Sequence, residues 1–241
     1  AEVLLDPKTS PLLTSPVWIA IGTAANELAV GAVLVVWLLA LAPTRSAVLP
    51  LAAPKPLALV GSLLVVFGLV PLSDLAGRIV DAIVQSDVTA TRVITEAAKR
   101  AGPGELALLL FCVAVLPAIV EEAMFRGVIT ATFARRSFVV GLVVPSVLFG
   151  IFHIEPTQVA GTIVLGIGFG LVRLYTGSLV PCALVHGVYN AAVVLAVRHA
   201  DVSEDRPFSP VPLLVGAIVV ALGIWLLRPD SPRTQLGRGA V

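Results

Sequence analysis

Four groups of polar residues interrupt sequence that is otherwise apolar: Glu121, Glu122 and Arg126 in AIVEEAMFRG, His153 with Glu155 in FGIFHIEP, His186 and Asn190 in HGVYN, and Asn26 with Glu27 in AANELAV. Carboxylate, imidazole and amide are the groups that acid–base chemistry on a carbonyl needs: a base for water, and donors for the oxyanion that forms. Residues four apart share a helical face, so Glu122 can pair with Arg126, and His186 points the same way as Asn190. Glu121 is turned about 100° from Glu122 and about 140° from Arg126 by the 3.6-residue repeat. With Glu122 neutralised by Arg126, Glu121 has no partner on its own helix and becomes the candidate general base. A carboxylate surrounded by apolar groups is a stronger base than one in water. Its partners must come from neighbouring helices, and His153 and His186 are the candidates; the residues alone do not divide the roles between these two.

The elements that must position these groups are membrane helices. The chain has 241 residues, of which 58 % are hydrophobic and 13 % charged, with a mean hydropathy of +1.01. A soluble domain carries roughly 25 % charged residues, and a bilayer crossing takes about 20 mostly apolar ones. Seven apolar runs of suitable size lie near 17–42, 57–72, 104–125, 138–154, 157–175, 178–198 and 211–227. The stretch 73–103 alternates charges with Leu75, Ile79, Ile83, Val88, Val93 and Ile94, and reads as one or two amphipathic helices at the interface. The expected fold is all-α: a polytopic transmembrane bundle of seven to eight helices with an interfacial segment, forming one integral membrane domain over 1–241. The third run is expected to end soon after Glu121 and Glu122, with Arg126 in the turn that follows.

Lysine and arginine in short loops set orientation. Nine fall on one side, Arg126 of the 126–137 turn and Arg173 of the 173–178 turn among them, against seven on the other. That bias predicts a cytoplasmic C-terminus and an external N-terminus. The first residues lack the basic and apolar regions of a secretory signal. A net charge of +1 gives no reason to expect nucleic-acid binding. Cys112 and Cys182 lie inside expected spans without C-x-x-C spacing and read as packing residues. Gly166 and Gly170, in G-x-x-x-G spacing, predict a close helix approach.

The three clusters between residues 104 and 198 resemble, in order and on successive helices, the motifs of a known family. EEAMFRG resembles E-E-x-x-x-R, FGIFH from Phe149 to His153 resembles F-x-x-x-H, and HGVYN resembles H-x-x-x-N. These are the motifs of the CPBP family, which comprises type II CAAX prenyl endopeptidases and bacteriocin-processing and related intramembrane proteases. The resemblance implies intramembrane peptide hydrolysis of the glutamate type, with 104–198 as the catalytic core. Glu121 and His153 would hold and deprotonate the water, and His186 and Asn190 would stabilise the oxyanion. Glu122 and Arg126, with Phe149, would support the site or grip substrate.

Other chemistries can use the same residues. A glutamate and histidines can hold zinc with an open position for water, although no H-E-x-x-H is present, and the expectation is no cofactor. A transporter or proton relay also buries Glu, His and Arg, but would show inverted repeats, and none is found. A non-catalytic immunity protein is the third alternative. Asn26 and Glu27 lie outside the motifs and are expected to make an interhelical hydrogen bond; Glu155, before Pro156, is expected at a solvated helix boundary. The expected partners are the lipid bilayer and a membrane-associated protein or peptide. Ala, Val, Leu, Gly and Arg dominate over Lys, which suggests the inner membrane of a prokaryote and a substrate that is processed or sorted there.

Overall fold

Proline decides where many of these helices begin. It lacks the N–H that the first turn cannot use and presets the backbone angle there, and it is the first residue of the helices Pro16–Ala40, Pro56–Val84, Pro103–Phe133 and Pro156–Thr176. The computed structural model describes residues 15–40, 48–84, 90–199 and 208–228. Among these there are eight helices and no strand. They are α1 (Pro16–Ala40), α2 (Pro56–Val84), α3 (Ala90–Arg100), α4 (Pro103–Phe133), α5 (Phe138–Phe152), α6 (Pro156–Thr176), α7 (Val180–His199) and α8 (Val211–Leu227).

The exterior of the bundle is apolar. Val36, Ile83, Leu214 and Trp225 are all more than half exposed, an arrangement stable against lipid and unstable in water. The chain is an integral membrane protein. Five helices, α1, α2, α4, α6 and α7, are long and apolar enough to cross. The other two expected crossings are shorter: α5 has 15 residues and α8 has 17, or about 22 and 26 Å against a hydrocarbon core of about 30 Å.

Three expectations are corrected. The second span does not stop at residue 72: α2 continues to Val84 after a local break at Leu69, just before Pro71. The first half of the expected interfacial segment is thus the end of a spanning helix packed on α6, and only α3 is separate. The third span does not end near residue 125 either, because α4 runs on to Phe133 and Glu121 lies just past its middle. Arg126 fails to end the helix because it is fully buried and ion-paired rather than solvated. Arg173 likewise lies within α6, its Nε donating to the Arg126 carbonyl at 3.0 Å. Arg78 and Arg198, counted on the other side, likewise lie within α2 and α7, so two cations leave each count and the difference between the sides is unchanged. His199 is the last residue of α7.

Glycine sets how closely the helices approach. Gly166 and Gly170 of α6 face Ser146 and Leu142 of α5, as the G-x-x-x-G spacing predicts. A second, tighter seam joins α2 to α8. A Cβ at Gly61 would stand 3.0 Å from the Gly223 carbonyl oxygen, and one at Gly68 would stand 2.9 Å from that of Gly216. The core is centred on Val65 and Val66 of α2, Phe125 of α4, Phe149 of α5, Phe169 of α6 and Val185 of α7. Cys112 and Cys182 are buried and unbridged, as packing residues should be.

Candidate active site

Helix α4 is not a regular α-helix where it carries the glutamates. Two π-helical segments, Phe111–Val115 and Ala123–Ile129, flank the short α segment Leu116–Glu122. Such wide turns are rare, and when they occur they often mark functional sites. The first has a cause in sequence. Pro117 has no N–H to offer the Val113 carbonyl four residues back, and Asn190 Nδ2 of α7 donates to that carbonyl instead, at 3.1 Å. Beside the second, Thr130 Oγ1 donates to the Phe125 carbonyl at 2.9 Å and Arg173 to that of Arg126.

Four of the motif residues, Glu121, Glu122, Arg126 and His186, form a polar file inside this apolar bundle, while His153 and Asn190 bond the backbone carbonyls of Phe149 and Val113. Arg126 NH1 donates to Glu122 Oε1 at 3.0 Å, and His186 Nδ1 lies 2.9 Å from the same oxygen. The opposite ring nitrogen, His186 Nε2, is 3.8 Å from Glu121 Oε2. Glu121, Glu122, Arg126 and His186 are each at most 5 % exposed. Arg126 NH2 reaches further, to the Gly166 carbonyl of α6 at 3.2 Å, and its guanidinium lies 4.3 Å from the Phe149 ring centre and 5.1 Å from that of Phe169. A cation stacked on two rings and bonded to an anion is tolerated where an isolated one would not be.

Hydrogen bonding fixes the tautomers. His153 Nδ1 is 2.9 Å from the Phe149 carbonyl oxygen, which can only accept, so Nδ1 carries the hydrogen and Nε2 is left as the acceptor. Glu122 likewise takes the Nδ1–H of His186, and Nε2 faces the Glu121 carboxyl. Phe149 stands edge-on to both imidazoles, 4.9 Å from His153 and 5.9 Å from His186 by ring centres. Phe169 stacks on His186 at 4.7 Å. His153 itself caps α5, and the next residue, Ile154, holds the left-handed φ of 62°. That conformation is strained for a β-branched side chain.

Sequence reasoning gives too little weight to one group. Glu27 of α1 is 1 % exposed, and its Oε1 accepts from Asn26 Nδ2 at 3.1 Å. The signal is present in the sequence, since Glu27 is the one charge in a 25-residue apolar helix. Phe169 and the Gly166 carbonyl escape it too, because nothing in a local motif reports a stacking partner from another helix. Glu155 is the N-cap of α6, accepting from Thr157 N at 2.9 Å and Gln158 N at 3.3 Å. Among the described residues, no three His, Cys, Asp or Glu side chains are grouped so as to hold a metal ion.

The family model described as type II CAAX prenyl endopeptidase Rce1-like matches residues 103–192, from the first residue of α4 to just beyond Asn190 in α7. No curated protein and no solved structure matches the chain.

Proposed function

We propose that this chain, whose residues 103–192 match the Rce1-like model of type II CAAX prenyl endopeptidases, is an intramembrane endopeptidase of the glutamate type. Its substrate is a membrane-associated protein or peptide, cut near the C-terminus or in the membrane-proximal part. One observation carries the reading: Glu121, Glu122, Arg126 and His186 are buried in one polar file inside a lipid-exposed bundle. Such burial is costly for structure alone, and a plain apolar core would be cheaper.

In this mechanism Glu121, with the acceptor nitrogen of His153, holds a water and takes its proton as the oxygen bonds to the scissile carbonyl carbon. The 3.8 Å between Glu121 Oε2 and His186 Nε2 lets one small group touch both. His186, carrying a proton on Nε2, and the second N–H of the Asn190 amide donate to the oxyanion. When the tetrahedral intermediate collapses, the C–N bond breaks and the proton on Glu121 moves to the leaving nitrogen. Glu122 orients the His186 ring through its Nδ1–H and offsets the charge of the doubly protonated ring, as the third member of a catalytic triad orients its base. Arg126 offsets the Glu122 charge, and Phe149 walls off both imidazoles.

Composition and the apolar helices support a place in the cytoplasmic membrane of a prokaryote, with the C-terminus proposed on the cytoplasmic side; a C-terminal reporter fusion reads that side directly. The test of the chemistry is cleavage by detergent-purified protein of fluorogenic C-terminal peptides, prenylated and unprenylated, with Glu121→Gln and a zinc chelator as parallel arms. Cleavage lost by at least about 100-fold in Glu121→Gln and retained under chelation is the expected result. Cleavage lost under chelation would make the same side chains zinc ligands, and full activity of Glu121→Gln would overturn the assignment of the base.

A further inference from the structure

The wide turn of α4 from Ala123 to Ile129 displaces one carbonyl from its usual partner. In a regular helix the Thr130 N–H would serve the Arg126 carbonyl, four residues back. Here it is directed to the carbonyls of Phe125 and Gly127 instead, and the Thr130 hydroxyl also donates to Phe125, at 2.9 Å. Arg126 is fully buried, where a carbonyl without a donor is costly. Helix α6 supplies the donor: Arg173 Nε, at 3.0 Å. Gly166, seven residues earlier and so on the same face of α6, accepts from Arg126 NH2 at 3.2 Å. Residue 126 is thus held by α6 twice, through its backbone and through the tip of its side chain. Arg173 lies outside the three motifs, is half-buried, and takes part in no ion pair among the described residues. What the bundle uses of it is one N–H in one place.

We propose that Arg173 is a positioning residue of the site, whose Nε–H keeps the wide turn open beneath Arg126 and so fixes where that guanidinium meets Glu122. The inference rests on the reading of Glu121, Glu122 and His186 as hydrolytic machinery. The path is short: Arg173 Nε holds the Arg126 carbonyl, Arg126 NH1 donates to Glu122 Oε1, and that oxygen takes the Nδ1–H of His186. Without the Arg173 donor, the Thr130 N–H would return to the Arg126 carbonyl and the turn would narrow. The Arg126 side chain would then be carried away from Glu122, and the His186 ring would lose its fixed acceptor.

Side chains of similar length separate the donor from the charge. Glutamine puts an uncharged N–H where arginine has Nε, lysine keeps the charge but has carbon at that place, and methionine has carbon and no charge. On the full chain in detergent with a cleavable peptide, Arg173→Gln should keep kcat within about threefold, while Arg173→Lys and Arg173→Met should each lose about tenfold or more with little change in KM. A second readout needs no cleavage: the proton resonance of His186 Nδ1–H in protein labelled with heavy-nitrogen histidine, assigned by its loss in His186→Gln. It should persist in Arg173→Gln and be shifted or lost in Arg173→Met and Arg173→Lys. A role in stability alone would lower the thermal midpoint and leave kcat and the resonance as in the wild type, which overturns the proposal. Arg173→Lys more active than Arg173→Gln overturns it too, since charge rather than the placed donor would then matter. Should Arg173→Met fail to fold, the glutamine and lysine variants decide between these outcomes. An active Glu121→Gln would instead sink the base assignment, and the His186 resonance then decides the role of Arg173 by itself.

Discussion

One oxygen, Glu122 Oε1, accepts from both His186 Nδ1 at 2.9 Å and Arg126 NH1 at 3.0 Å. The imidazole of α7 is thereby held in register with an ion pair that lies entirely on α4. Geometry at the site and stability of the bundle are coupled through this single atom.

That coupling can be separated by double substitution. Arg126→Met leaves Glu122 as a buried anion without its cation and should destabilise by about 3–5 kcal/mol, read as thermal unfolding in micelles. Glu122→Gln/Arg126→Met removes both charges and should recover most of that loss. Activity should not return, because an amide at position 122 presents no carboxylate to His186.

Asn190 bonds the Val113 carbonyl and is proposed to donate to the oxyanion, and a second pair of substitutions tells the two apart. Asn190→Ala strips the Val113 carbonyl of its donor and should cost about 1–2 kcal/mol. Pro117→Ala restores an N–H four residues after Val113, so the double variant should regain stability. If Asn190 also donates to the oxyanion, kcat in that double variant stays about 100-fold down or more; full recovery of kcat would reduce Asn190 to a helix-repair residue.

Phe149 touches the guanidinium and both imidazoles at once. Phe149→Leu should lower stability by about 1–3 kcal/mol through lost ring contacts. It should also lower kcat more than it raises KM, since what loosens is the placement of His153 and His186. An unchanged kcat would show that the ring serves packing only.

The α2–α8 seam predicts opposite outcomes for one substitution at two glycines. At Gly223 a Cβ would meet the Gly61 carbonyl oxygen and the Val65 nitrogen at 2.8 Å, so Gly223→Ala should cost about 1–3 kcal/mol. At Gly22 nothing lies within 4 Å, so Gly22→Ala should be neutral or stabilising by up to about 1 kcal/mol. Thermal midpoints of the two variants, measured side by side, check both.

Much of the site is legible in the sequence because its residues are local. The Glu122–Arg126 pair follows from four-residue spacing, and His186 with Asn190 from the same rule. The helix starts are legible in the prolines. What cannot be read is how a charge behaves once it is buried. Arg126 reads as the end of a helix because cations usually mark water, and only the Glu122 oxygen and the Phe149 and Phe169 rings show why it does not. Glu27 is undervalued for the complementary reason: it is buried on a helix that packs against α4, far along the chain, and no periodicity in α1 points there. The Asn190–Val113 bond, by contrast, follows from Pro117, which leaves a carbonyl that some neighbouring helix has to satisfy.

The buried Arg126 also bears on how the protein is made. A helix entering the bilayer with Glu121, Glu122 and Arg126 near its middle carries an insertion penalty of about 2.5–3.5 kcal/mol for each charge at the centre, and only the Glu122 contact is available before other helices arrive. The Gly166 carbonyl, the Phe149 and Phe169 rings and His186 all come from later in the chain. The buried file therefore cannot assemble on a nascent or half-inserted chain. Its last member, His186, arrives only when α7 has been synthesised, so the order of the chain sets the order in which these charges find their partners.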